Sequence, residues 1–283
     1  MQTTITTSLV SVQWLADHLA AENLIILDAS MKPVTHYNST APQPGTVYIP
    51  RSMRFDFDKE ILDRNSSLPH MMPSTEFFTE EMQKMGIDKN SAVVVYDNVG
   101  IYSSPRAWWM FRAMGHEQVA VLDGGLPAWI QAGYETVPTL AEAPQQRGDF
   151  ASRPQGGLFV DSKIVVQALA DPTFSVIDAR SAGRFKGQEP EPRQGLRPGH
   201  MPNAVNIPFT NVLENGMMSS RSKLRSVFEQ YQNKKMIFSC GTGVTACILA
   251  LAAEQTGYND LAVYDGSWSE WGLPSSGLPV TTE

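Results

Sequence analysis

Residues 123–129 read DGGLPAW and residues 265–271 read DGSWSEW, 142 positions apart. Working outward, VVVYD at 93–97 precedes the first stretch as MIFSC at 236–240 precedes the second, 143 apart. Further upstream, LIILDA at 24–29 matches FSVIDA at 174–179, with Asp28 and Asp178 150 apart. Between them, VYIP at 47–50 and HMP at 200–202 each lead into an apolar-aromatic stretch, near Phe55 and Phe209. The order is preserved and the offsets drift by only a few residues, which indicates internal duplication. Within each copy, short β-rich runs alternate with helical stretches. Uninterrupted apolar strands between helices imply a largely parallel sheet covered on both faces. The expected fold class is therefore α/β: two tandem modules, each a mostly parallel sheet flanked by helices. Ser104 and Pro105 read as N-cap and first turn of a helix ending before Gly115. Val244–Thr256 followed by Gly257 gives the second copy the same stop signal.

The expected boundaries are a first domain at 1–137, a linker at 138–157 and a second domain at 158–283. Residues 137–157, VPTLAEAPQQRGDFASRPQGG, hold three prolines and three glycines with little apolar periodicity, and read as an exposed linker. The 283 residues suffice for two cores. The net charge of −7 argues against broad nucleic-acid binding. That charge is uneven: residues 1–140 carry 9 basic and 15 acidic side chains, residues 158–283 carry 11 and 12. Four arginines fall within eighteen residues of the second half, Arg180, Arg184, Arg193 and Arg197, so an anion is better received there. The sequence shows neither a basic leader nor a membrane-length apolar run, and a cytosolic location with reduced thiols is the default expectation.

The two cysteines, Cys240 and Cys247, exclude a disulfide scaffold and any multi-cysteine metal or iron–sulfur site. Cys240 ends a β-run and opens CGTGVTA, which leads directly into a helix. Two glycines in four residues let that backbone turn tightly and aim its N–H groups inward, at a helix N-terminus. Such a cradle should favour the Cys240 thiolate. Position 246 is alanine, so the arginine of a C-x5-R phosphatase loop is missing. Gly243 removes the redox C-x-x-C possibility. A cysteine hydrolase would need a base from among His18, His36, His70, His116 and His200, none of them near in sequence. Cys247 and the tryptophans Trp108, Trp109, Trp129, Trp268 and Trp271 read as packing residues.

These features together resemble the two-domain rhodanese-type sulfurtransferases. The resemblance spans nearly the whole chain, through LDAS and SSPRAWWMFR in the first half and IDAR, GRFKGQEPEPR, GHMPNAVNIPF, CGTGVTA and YDGSWSEW in the second. Within the family it is closest to the 3-mercaptopyruvate sulfurtransferases, because thiosulfate-using members carry basic residues inside the loop and this loop is neutral. The resemblance implies two rhodanese-like domains, the first silent because Asp97 stands where Cys240 stands in the second. It implies catalytic Cys240, a relay of Thr242, His70 and Asp58 with threonine in the usual serine place, and substrate binding by Arg184 and Arg193. Gly241, Gly243, Val244 and Thr245 complete the binding loop. The implied reaction moves sulfur from 3-mercaptopyruvate through a Cys240 persulfide to a thiol, thioredoxin or cyanide, and releases pyruvate. It implies no metal or organic cofactor, no membrane partner, and a monomer or weak dimer. The alternatives are a thiosulfate:cyanide sulfurtransferase and a non-catalytic sulfur-carrier or protein-binding module.

Overall fold

The computed structural model describes residues 2–34 and 47–282. In the first half, strands β1 (Leu9–Val10), β2 (Leu24–Asp28), β3 (Ser52–Arg54), β4 (Ala92–Tyr96) and β5 (Val119–Leu122) alternate with helices α1 (Val12–His18), α2 (Thr75–Lys84), α3 (Ser104–Ala113) and α4 (Gly125–Gln131). The second half contains β6 (Phe159–Val160), β7 (Phe174–Asp178), β8 (Val205–Asn206), β9 (Leu213–Glu214), β10 (Met217–Met218), β11 (Lys235–Ser239) and β12 (Leu261–Tyr264). Its helices are α5 (Ser162–Ala170), α6 (Ala182–Phe185), α7 (Arg221–Phe228), α8 (Ala246–Glu254) and α9 (Ser267–Trp271).

The first sheet runs β1-β5-β4-β2-β3 and the second β6-β12-β11-β7-β8, every pair parallel. Strand for strand, the second order reproduces the first, as duplication requires. All five residues of β4, AVVVY, are buried, because helices cover both faces of the sheet. A small antiparallel β9–β10 hairpin is added in the second half. Helix α3 begins one residue earlier than its sequence suggests. Ser103 is the N-cap without a side-chain bond, and the Ser104 hydroxyl instead donates to Asp97 at 2.7 Å.

The two halves share one core. Trp108, Trp109 and Phe111 of α3 lie in the same buried cluster as the α8 run from Ala246 to Ala253. Helix α8, ACILALAAE, is buried on every face except at Glu254, since it packs between its own sheet and the other half. Two backbone contacts across the interface mirror one another. Met72 N–H donates to Asp265 Oδ2 at 2.8 Å, and Met218 N–H donates to Asp123 Oδ1 at 2.9 Å. Each half thus presents the carboxylate of its DG turn to a loop of the other.

The segment expected as an exposed linker is mostly exposed, but it is strapped to the first half. Gly148 N–H donates to Gln83 O, Phe150 N–H to Ile87 O, and Arg153 N–H to Met114 O. The Phe150 ring is 1% exposed and packs against Phe78, Phe111 and His116. One aromatic residue among prolines and glycines escapes a periodicity reading, yet it anchors the strap. Phe150→Ala should lower stability by about 3 kcal/mol or more. Urea denaturation checks this, and a loss below about 1 kcal/mol would show that the ring does not anchor the segment.

Candidate active site between the halves

A cavity of about 860 Å³ opens between the halves at the carboxyl ends of the second sheet's strands. Cys240, one residue beyond β11, lies in its wall and is 2% exposed. The loop from Cys240 to Thr245 is held from behind. The Cys240 N–H donates to Ser267 Oγ at 3.2 Å, and the Cys240 carbonyl accepts from Trp268 N–H at 3.0 Å. The Gly241 carbonyl accepts from both Ser269 N–H and Ser269 Oγ. The Gly243 carbonyl accepts from Arg106 and from Cys247 Sγ.

Across a trans peptide, C=O and the next N–H point in opposite directions. Tying the carbonyls of 240, 241 and 243 backwards therefore turns the amides of Gly241, Thr242 and Val244 the other way. None of the amides from Gly241 to Thr245 donates to another described residue. Gly243 is required here. Its φ is +75°, and a Cβ would meet Arg106 Nη1 at 2.9 Å and Asp265 O at 3.0 Å. The loop is consequently a cradle of free amides with a sulfur at its base, suited to hold negative charge.

The equivalent loop in the first half is filled by its own side chain. Asp97 follows β4 as Cys240 follows β11, and its carboxylate accepts from the amides of Val99, Tyr102, Ser103 and Ser104 and from Ser104 Oγ. It is fully buried, and burial pushes its carboxyl pKa up against those donors. Asp97 thus uses the amides that the second loop leaves open.

Arginines line the opposite wall. Arg184, at the end of α6, holds Glu191 in a two-point contact, Nε to Oε1 at 3.3 Å and Nη2 to Oε2 at 2.6 Å. A Cβ on Gly241 would stand 3.2 Å from Arg184 Nη2, so this guanidinium overhangs the loop. Arg193 lines the cavity without a hydrogen bond or ion pair to any described residue. Partial burial lowers its pKa, opposed by the charges of Cys240 and Asp58 nearby. Arg180 and Arg197 are spoken for. Arg180 is fully buried on Asp178, Glu191, Gly199 O and the Trp268 ring, and Arg197 holds the carbonyls of Trp271 and Gly272.

A family model for the rhodanese-like domain matches twice, over residues 11–132 and 162–273. The chain belongs to the rhodanese family. It is 38% identical to the human protein named 3-mercaptopyruvate sulfurtransferase, over 98% of this chain and 95% of that one. It is also 38% identical to thiosulfate/3-mercaptopyruvate sulfurtransferase 1, mitochondrial, of Arabidopsis thaliana, over 96% of this chain and 77% of that one. Among solved structures it resembles the 3-mercaptopyruvate sulfotransferase SseA from Escherichia coli, with TM-score 0.80, 34% identity, and coverage of 94% of this chain and 100% of that one.

Within this rhodanese pair, the residues expected at the site fall into two groups. Cys240, Gly241, Thr242, Val244, Thr245, Arg184 and Arg193 all line the cavity. Gly243 shapes the loop from beneath. His70 and Asp58 do not line the cavity; buried His70 and half-buried Asp58 form a pair beside it, His70 Nε2 to Asp58 Oδ1 at 2.7 Å. Burial lowers the His70 pKa despite the Asp58 bond, so the ring is neutral at pH 7 with Nε2–H donating to Asp58. Its Nδ1 is buried without a partner, and no hydrogen bond links it to Thr242. His36 lies outside the described residues. Cys247 is buried in α8, and burial pushes its thiol pKa up, in keeping with a packing role.

Two parts of the site escaped the sequence reading. Arg106 of α3 is fully buried; it reaches across the interface to Asp265 Oδ1 at 2.7 Å and to the Gly243 carbonyl at 3.4 Å, and within its own half it holds the His70 carbonyl. His70 has φ +63°, an unfavourable conformation for a side-chain-bearing residue, and its carbonyl bond to Arg106 holds it there. The second is Glu191, whose neighbours in QEPEPR give no hint that one carboxylate clamps two arginines.

Asp265→Ala should cost about 3–5 kcal/mol by stranding the Arg106 charge. Chemical denaturation checks it, and a cost below about 1 kcal/mol would show that the pair does not join the halves. Iodoacetamide on the native protein at pH 8 should label Cys240 and spare Cys247, as read by peptide mass mapping. Equal labelling would contradict the packing role of Cys247.

Proposed function

We propose that the protein transfers sulfur from 3-mercaptopyruvate through a persulfide on Cys240 to a thiol acceptor, releasing pyruvate. The observation that carries this reading is the open amide cradle around Cys240, faced by Arg184 and the unpaired Arg193. A guanidinium pair set back from the sulfur suits a carboxylate several atoms from the transferred atom. The Cys240 thiolate attacks the donor sulfur, the carbon–sulfur bond breaks, and the electron pair leaves as pyruvate enolate, which takes a proton. The loop amides stabilise the negative charge on sulfur, and the enolate takes a solvent proton relayed by the Thr242 hydroxyl, which lines the cavity. The acceptor thiolate then takes the outer sulfur and restores Cys240, so the kinetics are ping-pong. Thioredoxin and cyanide are further acceptors of the same chemistry.

In this reading the chain comprises a silent first domain at 1–137, with Asp97 in the nucleophile's place, a linker at 138–157 and a catalytic domain at 158–283. The assembly in this reading is a monomer or weak dimer. The cytosol, where thiols are kept reduced, suits a cysteine that must return to the thiolate between turnovers.

Thiosulfate is the rival donor, favoured by the double name of the Arabidopsis relative. Steady-state assays with both donors and cyanide as common acceptor should give the higher kcat/KM for 3-mercaptopyruvate; a higher value for thiosulfate would overturn the assignment. Arg184→Ala and Arg193→Ala should each lower kcat/KM for 3-mercaptopyruvate more than tenfold, corresponding to about 1.5–3 kcal/mol for a charged hydrogen bond. Effects within twofold at both positions would reject their role.

A further inference from the structure

The arginine wall carries its own counter-charge, arranged with a definite stoichiometry. Three guanidiniums, Arg180, Arg184 and Arg193, line the cavity. Two buried carboxylates oppose them. Asp178 is fully buried and takes the Nε and Nη2 groups of Arg180. The Glu191 side chain is 3% exposed and receives Arg180 Nη1 at 2.7 Å and Arg184 Nη2 at 2.6 Å. Of the three guanidiniums, only that of Arg193 has no carboxylate partner among the described residues. Glu189, exposed at the cavity and held by Ser181 Oγ at 2.7 Å, and Asp58, paired with the neutral His70, add further negative charge on this side, which disfavours a doubly charged donor in the same direction as Glu191.

We propose that Glu191 is the positioning residue that sets donor specificity. It orients Arg184 over the loop and cancels one arginine charge, so the cavity favours a singly charged carboxylate donor over a doubly charged one. This rests on the reading that 3-mercaptopyruvate is the donor. The logic is electrostatic. An added positive charge stabilises a dianion about twice as much as a monoanion, and charge removal weakens it about twice as much. A neutral loop and a neutralised Arg184 therefore act together against thiosulfate. Arg180, gripped by both carboxylates, serves as the fixed post from which Glu191 reaches Arg184.

The test compares kcat/KM for thiosulfate and 3-mercaptopyruvate, with cyanide as acceptor, in the intact protein and its variants. Glu191→Gln keeps the side-chain size and removes the charge. The thiosulfate-to-mercaptopyruvate ratio should rise about fivefold or more, mainly through the thiosulfate KM. Glu191→Asp keeps the charge; its turnover falls with the lost geometry, but its ratio should stay within twofold of wild type. A residue that only maintained the fold would lower both donors alike and leave the ratio unmoved. A ratio within twofold of wild type in a folded Glu191→Gln, with the Cys240 alkylation rate preserved, overturns the proposal. If Glu191→Gln does not fold, Arg193→Gln gives the decision from the other side. Removing the unpaired positive charge should lower the ratio about fivefold or more, and an unchanged ratio overturns the proposal. The underlying donor reading fails separately, and visibly, if wild type itself prefers thiosulfate.

Discussion

Arg106 and Asp265 lie 159 residues apart and form a buried ion pair across the interface between the halves. Neither charge would be tolerable there alone, so the pair commits the two domains to one docked arrangement. Its consequences reach the site directly. The same guanidinium holds the Gly243 carbonyl, which turns the next loop amide toward the cavity, and holds the His70 carbonyl, which keeps a left-handed residue in place. The other Asp265 oxygen takes the Met72 amide. One ion pair therefore sets loop shape, histidine position and domain contact together.

The interface also explains how duplication produced one open loop and one closed loop. Both copies have the same sheet order and the same turn carboxylate, Asp123 in one and Asp265 in the other. They diverge where the strand ends, at DNVGIYSS from Asp97 in one and CGTGVTA from Cys240 in the other. Asp97 brings its own negative charge to the amides around it and closes the loop on itself, while Cys240 leaves the amides of its loop free. In the second half those amides are open to an anion from outside, and Arg193 and Arg184, which line the same cavity, are its receivers under the proposed function.

Much of this was readable in the chain. Strand-like runs at matching offsets gave the duplicated parallel sheets, because buried strands and short turns are local signals. The neutral loop and the arginine cluster led to a cavity that does bring Cys240, Thr242, Arg184 and Arg193 together. His70 and Asp58 do meet, but behind the cavity wall. The sequence does not reveal that Arg106 would find Asp265, that Phe150 would bury in the strap, or that Glu191 would clamp two arginines. Those partnerships arise from long-range docking, where a residue's neighbours in space are unrelated to its neighbours in sequence. Ser104 shows the same effect on a small scale: a good capping residue was diverted to Asp97.

The central claim is that Cys240 carries sulfur while the first-half loop does not. The most direct measurement is tandem mass spectrometry of the protein after brief treatment with 3-mercaptopyruvate, without acceptor. The account predicts an added mass of about 32 Da, one sulfur, on the peptide containing Cys240, absent from the Cys247 thiol and discharged by cyanide. An unmodified Cys240 in protein that still turns over donor would contradict it.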